Sequence, residues 1–247
     1  MSAPVLLLVD AGNTRIKWGL SRDGGWIATG SVDTADGAAF ADAMSRLPEQ
    51  PVRAVGCNVA GATAAAHVES ALSARGLPIR WNASCERQAG VSSGYDRPGQ
   101  LGADRWAAMI GAYSHVGGAC LVVNAGTAIT LDALDRGGRF LGGRIMPGID
   151  TMLDALEQRT AGLRRSQGAY RAFPANTADA MMTGAIDAAA GAVLRAHEAL
   201  RQAVQGEVPI VLSGGAADTI AEHLAGRVIR IEQLVLEGLR VIAEGQA

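Results

Sequence analysis

The sequence predicts an α/β protein built as two duplicated halves, each a mixed sheet flanked by helices. Three observations carry that expectation. Short continuous apolar runs alternate with segments of helical periodicity along the chain. Several of those runs end in glycine turns. The opening segment also returns 114 residues later, with Val9 falling on Val123, Asp10 on Asn124, Gly12 on Gly126, Ile16 on Thr130 and Leu20 on Leu134. A duplicated domain explains the echo, and chance similarity of one short apolar segment is the alternative. The expected halves are residues 1–116 and 117–247, each of ordinary domain size.

Taken in order, Val5 to Val9 is an apolar run stopped at Asp10-Ala11-Gly12, which suits a strand buried on both faces. From Arg15 to Leu20 the pattern alternates, with Ile16, Trp18 and Leu20 on one face and Arg15, Lys17 and Gly19 on the other, so a second strand pairs back. Trp26 to Val32 is a third. Helices are expected over Ala38–Leu47 and Ala62–Arg75, separated by a buried strand over Val52–Asn58. Ala83 to Gly102 is rich in Gly, Ser, Pro and Gln and reads as a loop, long enough to carry function, before a helix from Asp104 to Tyr113.

The second half opens with the strand-turn-strand segment Cys120–Leu134, followed by a strand, a Gly-Pro turn and a helix between Gly138 and Glu157. Arg159 to Asn176 is polar, basic and loop-like. A long helix is expected from Thr177 to Gln205, with Asn176 or Thr177 as its cap and Asp179 in the first turn. Gly184, Gly191 and the many alanines of this helix would admit a second helix at close range, in the core or at a subunit interface. A buried strand from Val208 ends at Gly214-Gly215, and a strand over Val228–Ile231 and a helix over Leu234–Ala243 are expected to close the second half.

Composition narrows the function classes. A formal net charge of −2 gives no electrostatic reason to expect nucleic acid or an anionic membrane surface. Cys57, Cys85 and Cys120 form no C-x-x-C pair and are odd in number, so neither a zinc knuckle nor a disulfide framework is supported, and a reducing cytoplasm fits best. The opening apolar run is far short of the roughly 20 residues that span a bilayer.

Three glycine turns sit at strand ends: Asp10 to Thr14, Asn124 to Thr127 and Ser213 to Ala216. Glycine lets backbone N–H groups approach an anion, and Asn or Thr side chains add hydrogen bonds, so such turns can cradle phosphate. A tight turn with no ligand is the plainer reading of any one of them. The P-loop, the G-x-G-x-x-G fingerprint and H-E-x-x-H are all absent from the sequence. Gly90 to Gly94 fits G-x-S-x-G, but it lies in a loop rather than between a strand and a helix.

Phosphoryl transfer needs a carboxylate near the metal, a positive charge at the transferring group and often a base. Asp10 can serve a metal directly or through water. Lys17 is the only lysine among 22 basic residues; it can reach phosphate oxygens from the return strand, and a solvated strand lysine is the alternative. Asp104 reads as a helix cap or as the base, beside Arg105, which can bind a carboxylate.

The segments "DAGNTRIKWG", "GYDRPGQLGADRW", "NAGTAITLD", "GGRIMPG", "NTADAMMTGAI" and "LSGGAA" occur in this order and closely resemble the type III pantothenate kinase family. The resemblance implies an actin and sugar-kinase fold of two ribonuclease-H-like halves with ATP in the cleft, a homodimer, and ATP-dependent phosphorylation of pantothenate, the first step toward coenzyme A. It implies magnesium with ATP, a first phosphate segment formed by Asp10, Ala11, Gly12, Asn13, Thr14, Arg15, Ile16 and Lys17, a second containing Thr127, and an adenosine-side turn at Gly214-Gly215. Asp104 takes the place of the proton acceptor. Tyr95, Gly102, Ala103, Asp104, Arg105 and Thr177 match substrate-binding positions. Where the family often carries an aspartate associated with potassium or ammonium, this chain has Asn124, whose amide oxygen can coordinate a cation but brings no charge. A nucleotide-binding regulator without catalysis and a kinase for another small molecule are the competing readings.

Overall fold

A computed structural model describes residues 3–245. The chain divides into two compact units, one formed by Met1–Gly117 with Gln233–Ala247 and the other by Gly118–Glu232.

In the first unit, β1 (Leu6–Ala11) is buried along its whole length, as a strand with elements on both faces must be. It pairs antiparallel with β2 (Arg15–Arg22), which pairs antiparallel with β3 (Gly25–Asp33). Helix α1 (Gly37–Ser45) follows, with the Asp36 carboxylate accepting the Ala39 N–H at its N-terminus. The chain then returns as β4 (Arg53–Asn58), parallel to β1, runs through α2 (Ala62–Ser73) and adds β5 (Ile79–Trp81) beside β4. The resulting order is β3-β2-β1-β4-β5. The stretch expected to be a plain loop holds a small hairpin, β6 (Arg87–Gln88) and β7 (Val91–Ser92), and a single 3-10 turn at Pro98–Gln100. It leads into α3 (Ala103–Val116), which ends on Gly117 at φ 68°, where a left-handed residue closes the helix.

The second unit repeats the plan. β8 (Cys120–Ala125), β9 (Ala128–Leu134) and β10 (Phe140–Pro147) form an antiparallel meander. Helices α4 (Ile149–Arg159) and α5 (Thr177–Val204) lead to β11 (Ile210–Ser213), parallel to β8, and α6 (Ala217–Ala221) leads to β12 (Val228–Arg230). The order is β10-β9-β8-β11-β12, the same as in the first sheet. Asn176 caps α5, its side chain accepting the Asp179 N–H at 2.9 Å. No helix among the described residues is long and apolar enough to cross a membrane.

The ladders correct the sequence echo by one residue. Asp10 faces Lys17 across β1 and β2, and Asn124 faces Thr130 across β8 and β9. Lys17 therefore corresponds to Thr130, and Ile16 to Ile129. The ungapped match that set Ile16 on Thr130 and Leu20 on Leu134 holds for the first strand and slips on the return strand, because Gly12–Thr14 gives a turn of three residues where Gly126-Thr127 gives two. Side chains alternate along a strand, so the slip exchanges the faces.

Two further expectations change. The helix expected to close the second half, α7 (Leu234–Glu244), packs in the first unit, along α3 and against β1. The physical reason is a glycine contact: a Cβ on Gly111 would lie 2.6 Å from the Leu234 carbonyl oxygen, and one on Gly238 would fall on the Ala107 carbonyl. Two helix backbones in such contact exclude side chains at the crossing. Trp26 Nε1–H to Glu237 Oε1 at 2.7 Å and Arg53 Nη2–H to the Ala243 carbonyl at 2.8 Å fasten α7 further. By contrast, a Cβ at Gly184 or Gly191 of α5 would meet nothing within 4 Å, so no described helix is seated on those glycines.

Candidate active site

Alternation decides which face of the first sheet carries chemistry. Leu7, Val9 and Ala11 of β1, with Ile16 and Leu20 of β2 and Ala54 of β4, pack into an apolar cluster with Phe40 and Met44 of α1 and Val68 and Leu72 of α2. Period two then turns Asp10, Lys17 and Cys57 to the other face, where α3 and α7 lie against the sheet. The three residues form one row across three strands, because Asp10 is the register partner of Lys17 on β2 and of Cys57 on β4.

Asp10 is 8% exposed. Burial pushes its carboxyl up to about 6, the nearby Lys17 ammonium opposes that rise, the Asp104 carboxylate adds to it, and the Cys57 thiol opposes it again by donating to Oδ1 at 3.5 Å. The Cys57 thiol is itself driven well above its ordinary value, by burial first and then by the charges of Asp10 and Asp104. Two carboxylates thus act on each other with one ammonium beside them. A cation brought in by a ligand would relieve that excess of negative charge. The described residues contain no cluster of three or more His, Cys, Asp or Glu that would form a metal cage of their own. One or two carboxylates without a cage suit a divalent ion that arrives on a nucleotide's phosphates.

The turn after β1 is held by its own backbone. Gly12 N–H donates to the Arg15 carbonyl at 3.1 Å, the Gly12 carbonyl accepts the Thr34 hydroxyl at 2.6 Å, and the Ala11 carbonyl accepts the Val59 N–H at 3.0 Å. Asn13 and Thr14 are exposed at its tip, beside a groove of about 540 Å³ that Thr34, Thr63 and His67 also line. Arg15 turns along the sheet to Ser31 Oγ at 2.5 Å, and the Ile16 side chain belongs to the core.

Asp104 lies in the first turn of α3, two residues after the N-cap Gly102, where the helix field favours an anion. Its Oδ1 accepts the Arg105 N–H at 2.8 Å. Gly102 leaves room for this arrangement: a Cβ would stand 2.6 Å from Asp104 Oδ1 and would push the carboxylate aside. Arg105 is 5% exposed, donates from Nη1 to the Tyr95 hydroxyl at 3.3 Å and lies 5.9 Å from the centre of that ring. A relay of hydrogen bonds fixes this helix start to the sheet. The Asn82 N–H donates to the Gly56 carbonyl at 2.6 Å, Gln88 Nε2–H to Asn82 Oδ1 at 3.0 Å, and Trp106 Nε1–H to Gln88 Oε1 at 2.7 Å. Ser84 Oγ lies within 2.8 Å of the Pro98 carbonyl and 2.7 Å of the Leu101 carbonyl, which sets the turn ahead of Gly102.

The first unit therefore assembles Asp10, Lys17, Tyr95, Asp104 and Arg105. Thr127, Asn124 and Thr177 lie in the second unit. Thr127 is exposed in the turn between β8 and β9, its carbonyl accepting the Gly148 N–H and the Thr151 hydroxyl, each at 2.8 Å. Asn124 faces Thr130 and Ser213 across its sheet, and Thr177 is the exposed first residue of α5. Sequence reasoning missed Cys57. Its signal, a cysteine one residue before the end of an apolar run, becomes informative only once β4 is known to lie parallel to β1 in this register.

The family model for type III pantothenate kinase matches residues 6–199. A type III pantothenate kinase of Aromatoleum aromaticum is 47% identical over 98% of this chain and 99% of its own, and one from Azoarcus sp. is 44% identical over 98% and 92%. Among solved structures, a Campylobacter jejuni protein described provisionally as a Baf family transcriptional activator aligns with a TM-score of 0.64 at 22% identity, covering 97% of this chain and 98% of that one. A Sinorhizobium meliloti protein described provisionally as a 2-dehydro-3-deoxygalactonokinase aligns at 0.61 and 16%, covering 98% and 99%. At these identities the solved structures speak to the fold alone, an α/β arrangement of two mixed sheets flanked by helices.

Proposed function

Because the chain belongs to the type III pantothenate kinase family, we infer that it transfers the γ-phosphoryl group of ATP, bound with a divalent metal, to pantothenate, giving 4′-phosphopantothenate for coenzyme A synthesis and releasing ADP. The observation that carries the site reading is the buried Asp10 set between Lys17 and Cys57 with the Asp104 carboxylate in its field.

In this reading Asp10 serves magnesium, directly or through water, and the ion supplies charge neutralisation on the phosphates when bound. Asp10 through Lys17 form the first phosphate segment, and the Gly12 turn offers backbone donors beside the Asn13 and Thr14 side chains. Lys17 holds positive charge near the transferring group. Thr127 serves the nucleotide as well. Arg105, oriented by Tyr95, takes the pantothenate carboxylate, and Gly102, Ala103 and Thr177 line the substrate. Asp104 accepts the proton of the attacking hydroxyl; one of its oxygens already takes the Arg105 N–H, which fixes the carboxylate for the other to act. Asn124 leaves the monovalent-cation position neutral. A homodimer and a cytoplasmic location belong to the same proposal, as does a division of the chain after residue 117 into two related halves, with Gln233–Ala247 returned to the first.

Asp104→Asn tests the base. Phosphopantothenate formation, followed by mass, is expected to fall by about 100-fold or more while ATP and pantothenate binding stay measurable by calorimetry. Near-normal turnover in that variant removes Asp104 from the role. Release of phosphorylated product from a different alcohol in preference to pantothenate would favour another acceptor.

A further inference from the structure

We propose that Cys57 is a positioning residue for phosphoryl transfer: by donating its thiol proton to Oδ1 of Asp10 it fixes the orientation in which that carboxylate meets the divalent metal of the nucleotide. The proposal rests on the reading of Asp10 as the metal carboxylate.

The geometry is a three-strand row. Asp10 on the central strand is flanked in register by Lys17 on one side and Cys57 on the other, and the thiol lies 3.5 Å from Oδ1. Cys57 is wholly buried, so the contact forms where water does not compete. With Oδ1 engaged from the sheet side, the carboxylate cannot rotate without breaking a bond.

The fold does not oblige this contact. In the second sheet the same ladder position, beside Asn124, is held by Ser213, and its hydroxyl donates instead to the Glu232 carbonyl at 3.1 Å. An ordinary buried cysteine acts as a small hydrophobe, and nothing in that role directs its proton to a carboxylate.

The test uses the full-length protein as wild type, Cys57→Ala, Cys57→Val, Cys57→Ser and Asp10→Asn. ATP binding is measured by calorimetry with Mg2+ and with chelator, alongside kcat, KM for Mg-ATP and the melting temperature. Cys57→Ala and Cys57→Val are expected to weaken Mg2+-dependent binding about threefold to tenfold, as loss of one modest hydrogen bond does, and to leave binding in chelator unchanged. Cys57→Ser, which keeps a donor, is expected to restore it. Cys57→Val stays closer to the native volume should the smaller residue loosen β4. The S–H infrared stretch assigned to Cys57 is expected to lie at higher frequency in folded Asp10→Asn than in folded wild type, a comparison that requires no change at the cysteine.

Equal weakening with and without Mg2+, wild-type binding in both Cys57→Ala and Cys57→Val, failure of Cys57→Ser to restore, or an unmoved S–H band would each overturn the proposal. Asp10→Asn that keeps full Mg2+ dependence would overturn the metal reading of Asp10 and this proposal with it. Loss of that dependence in Asp10→Asn but not in Cys57→Ala or Cys57→Val overturns the role of Cys57 alone.

Discussion

At matching ladder positions of its two sheets the chain holds Lys17, Asp10 and Cys57 in one unit and Thr130, Asn124 and Ser213 in the other. Strand order, register and the glycine after the central strand agree. The chemistry does not: the first row has a carboxylate and an ammonium, and the second is neutral. A neutral row satisfies the fold, so the charges in the first row are an addition that the sheet tolerates at a cost.

The largest effect comes from making the first row resemble the second. Asp10→Asn removes the carboxylate proposed to serve the metal, and turnover is expected to fall by about 100-fold or more. The same change is expected to stabilise the protein in chelator at neutral pH. Burial raises the Asp10 carboxyl from the ordinary 3.8 to about 6, so the folded state binds the proton more tightly than the unfolded chain. Stability therefore falls as pH rises from about 3.8 through 6, and above that window the ionised group costs roughly 3 kcal/mol. The asparagine variant escapes this cost at pH 7.5 and gains nothing at pH 3.5, which urea unfolding at the two pH values measures. Equal stability of the two proteins at pH 7.5 would mean that Lys17 and Cys57 already offset the burial in full.

Helix glycines draw the same contrast through packing. Gly238 in the first unit has a carbonyl where its Cβ would go, whereas Gly184 in the second has open space. Gly238→Ala is expected to destabilise by about 1–3 kcal/mol, and by more if α3 and α7 have to part. Gly184→Ala is expected to stabilise by up to about 1 kcal/mol, from helix propensity alone. Thermal denaturation reads both. Destabilisation by Gly184→Ala would show that a second copy of the chain is seated on α5.

Much of this organisation was legible in the sequence, and the exceptions have physical causes. Apolar runs such as Leu6–Val9 and Leu121–Val123 mark central strands because both faces are buried, and Asn176 marks a helix start because its side chain replaces a missing backbone partner. Ile79–Trp81 was not legible: three residues with an arginine in the middle carry no period, and the strand exists because β4 offers it an edge. The slip between the two return strands was hidden because a turn one residue shorter leaves the local pattern intact. The assignment of α7 was hidden for a different reason. Its amphipathic stripe says that one face is covered, and only the Gly111–Gly238 contact says by which helix. The positions of Asp10 near a strand end, Lys17 on the return strand and Asp104 at a helix start could be read from the local pattern, while that of Cys57 beside Asp10 depended on a parallel register that no local pattern encodes.

Lys17 separates a point charge from a planar one. The first row has an ammonium where the second has Thr130, and the chain uses arginine at every other basic position. Lys17→Arg keeps the charge but spreads it over a wider, rigid group that has to fit beside Asp10 in the same row. The expected result is a KM for Mg-ATP raised by about tenfold or less, with pantothenate KM unchanged. Unaltered kinetics for ATP would show that only the sign of the charge matters there.

The smallest effect is expected from charging the second row. Asn124 is half-buried beside Thr130 and Ser213, and neither neighbour brings a compensating cation of the kind Lys17 gives Asp10. Asn124→Asp therefore creates a carboxylate that has to recruit its counter-charge from solution. A monovalent ion is the available source, so the variant is expected to gain a response to potassium or ammonium over sodium of less than about fivefold, in turnover or in melting temperature. The parent, with an amide there, is expected to respond less. A parent that already needs potassium as strongly as the variant would place the ion on backbone carbonyls, and the difference between the two rows would then concern the divalent metal alone.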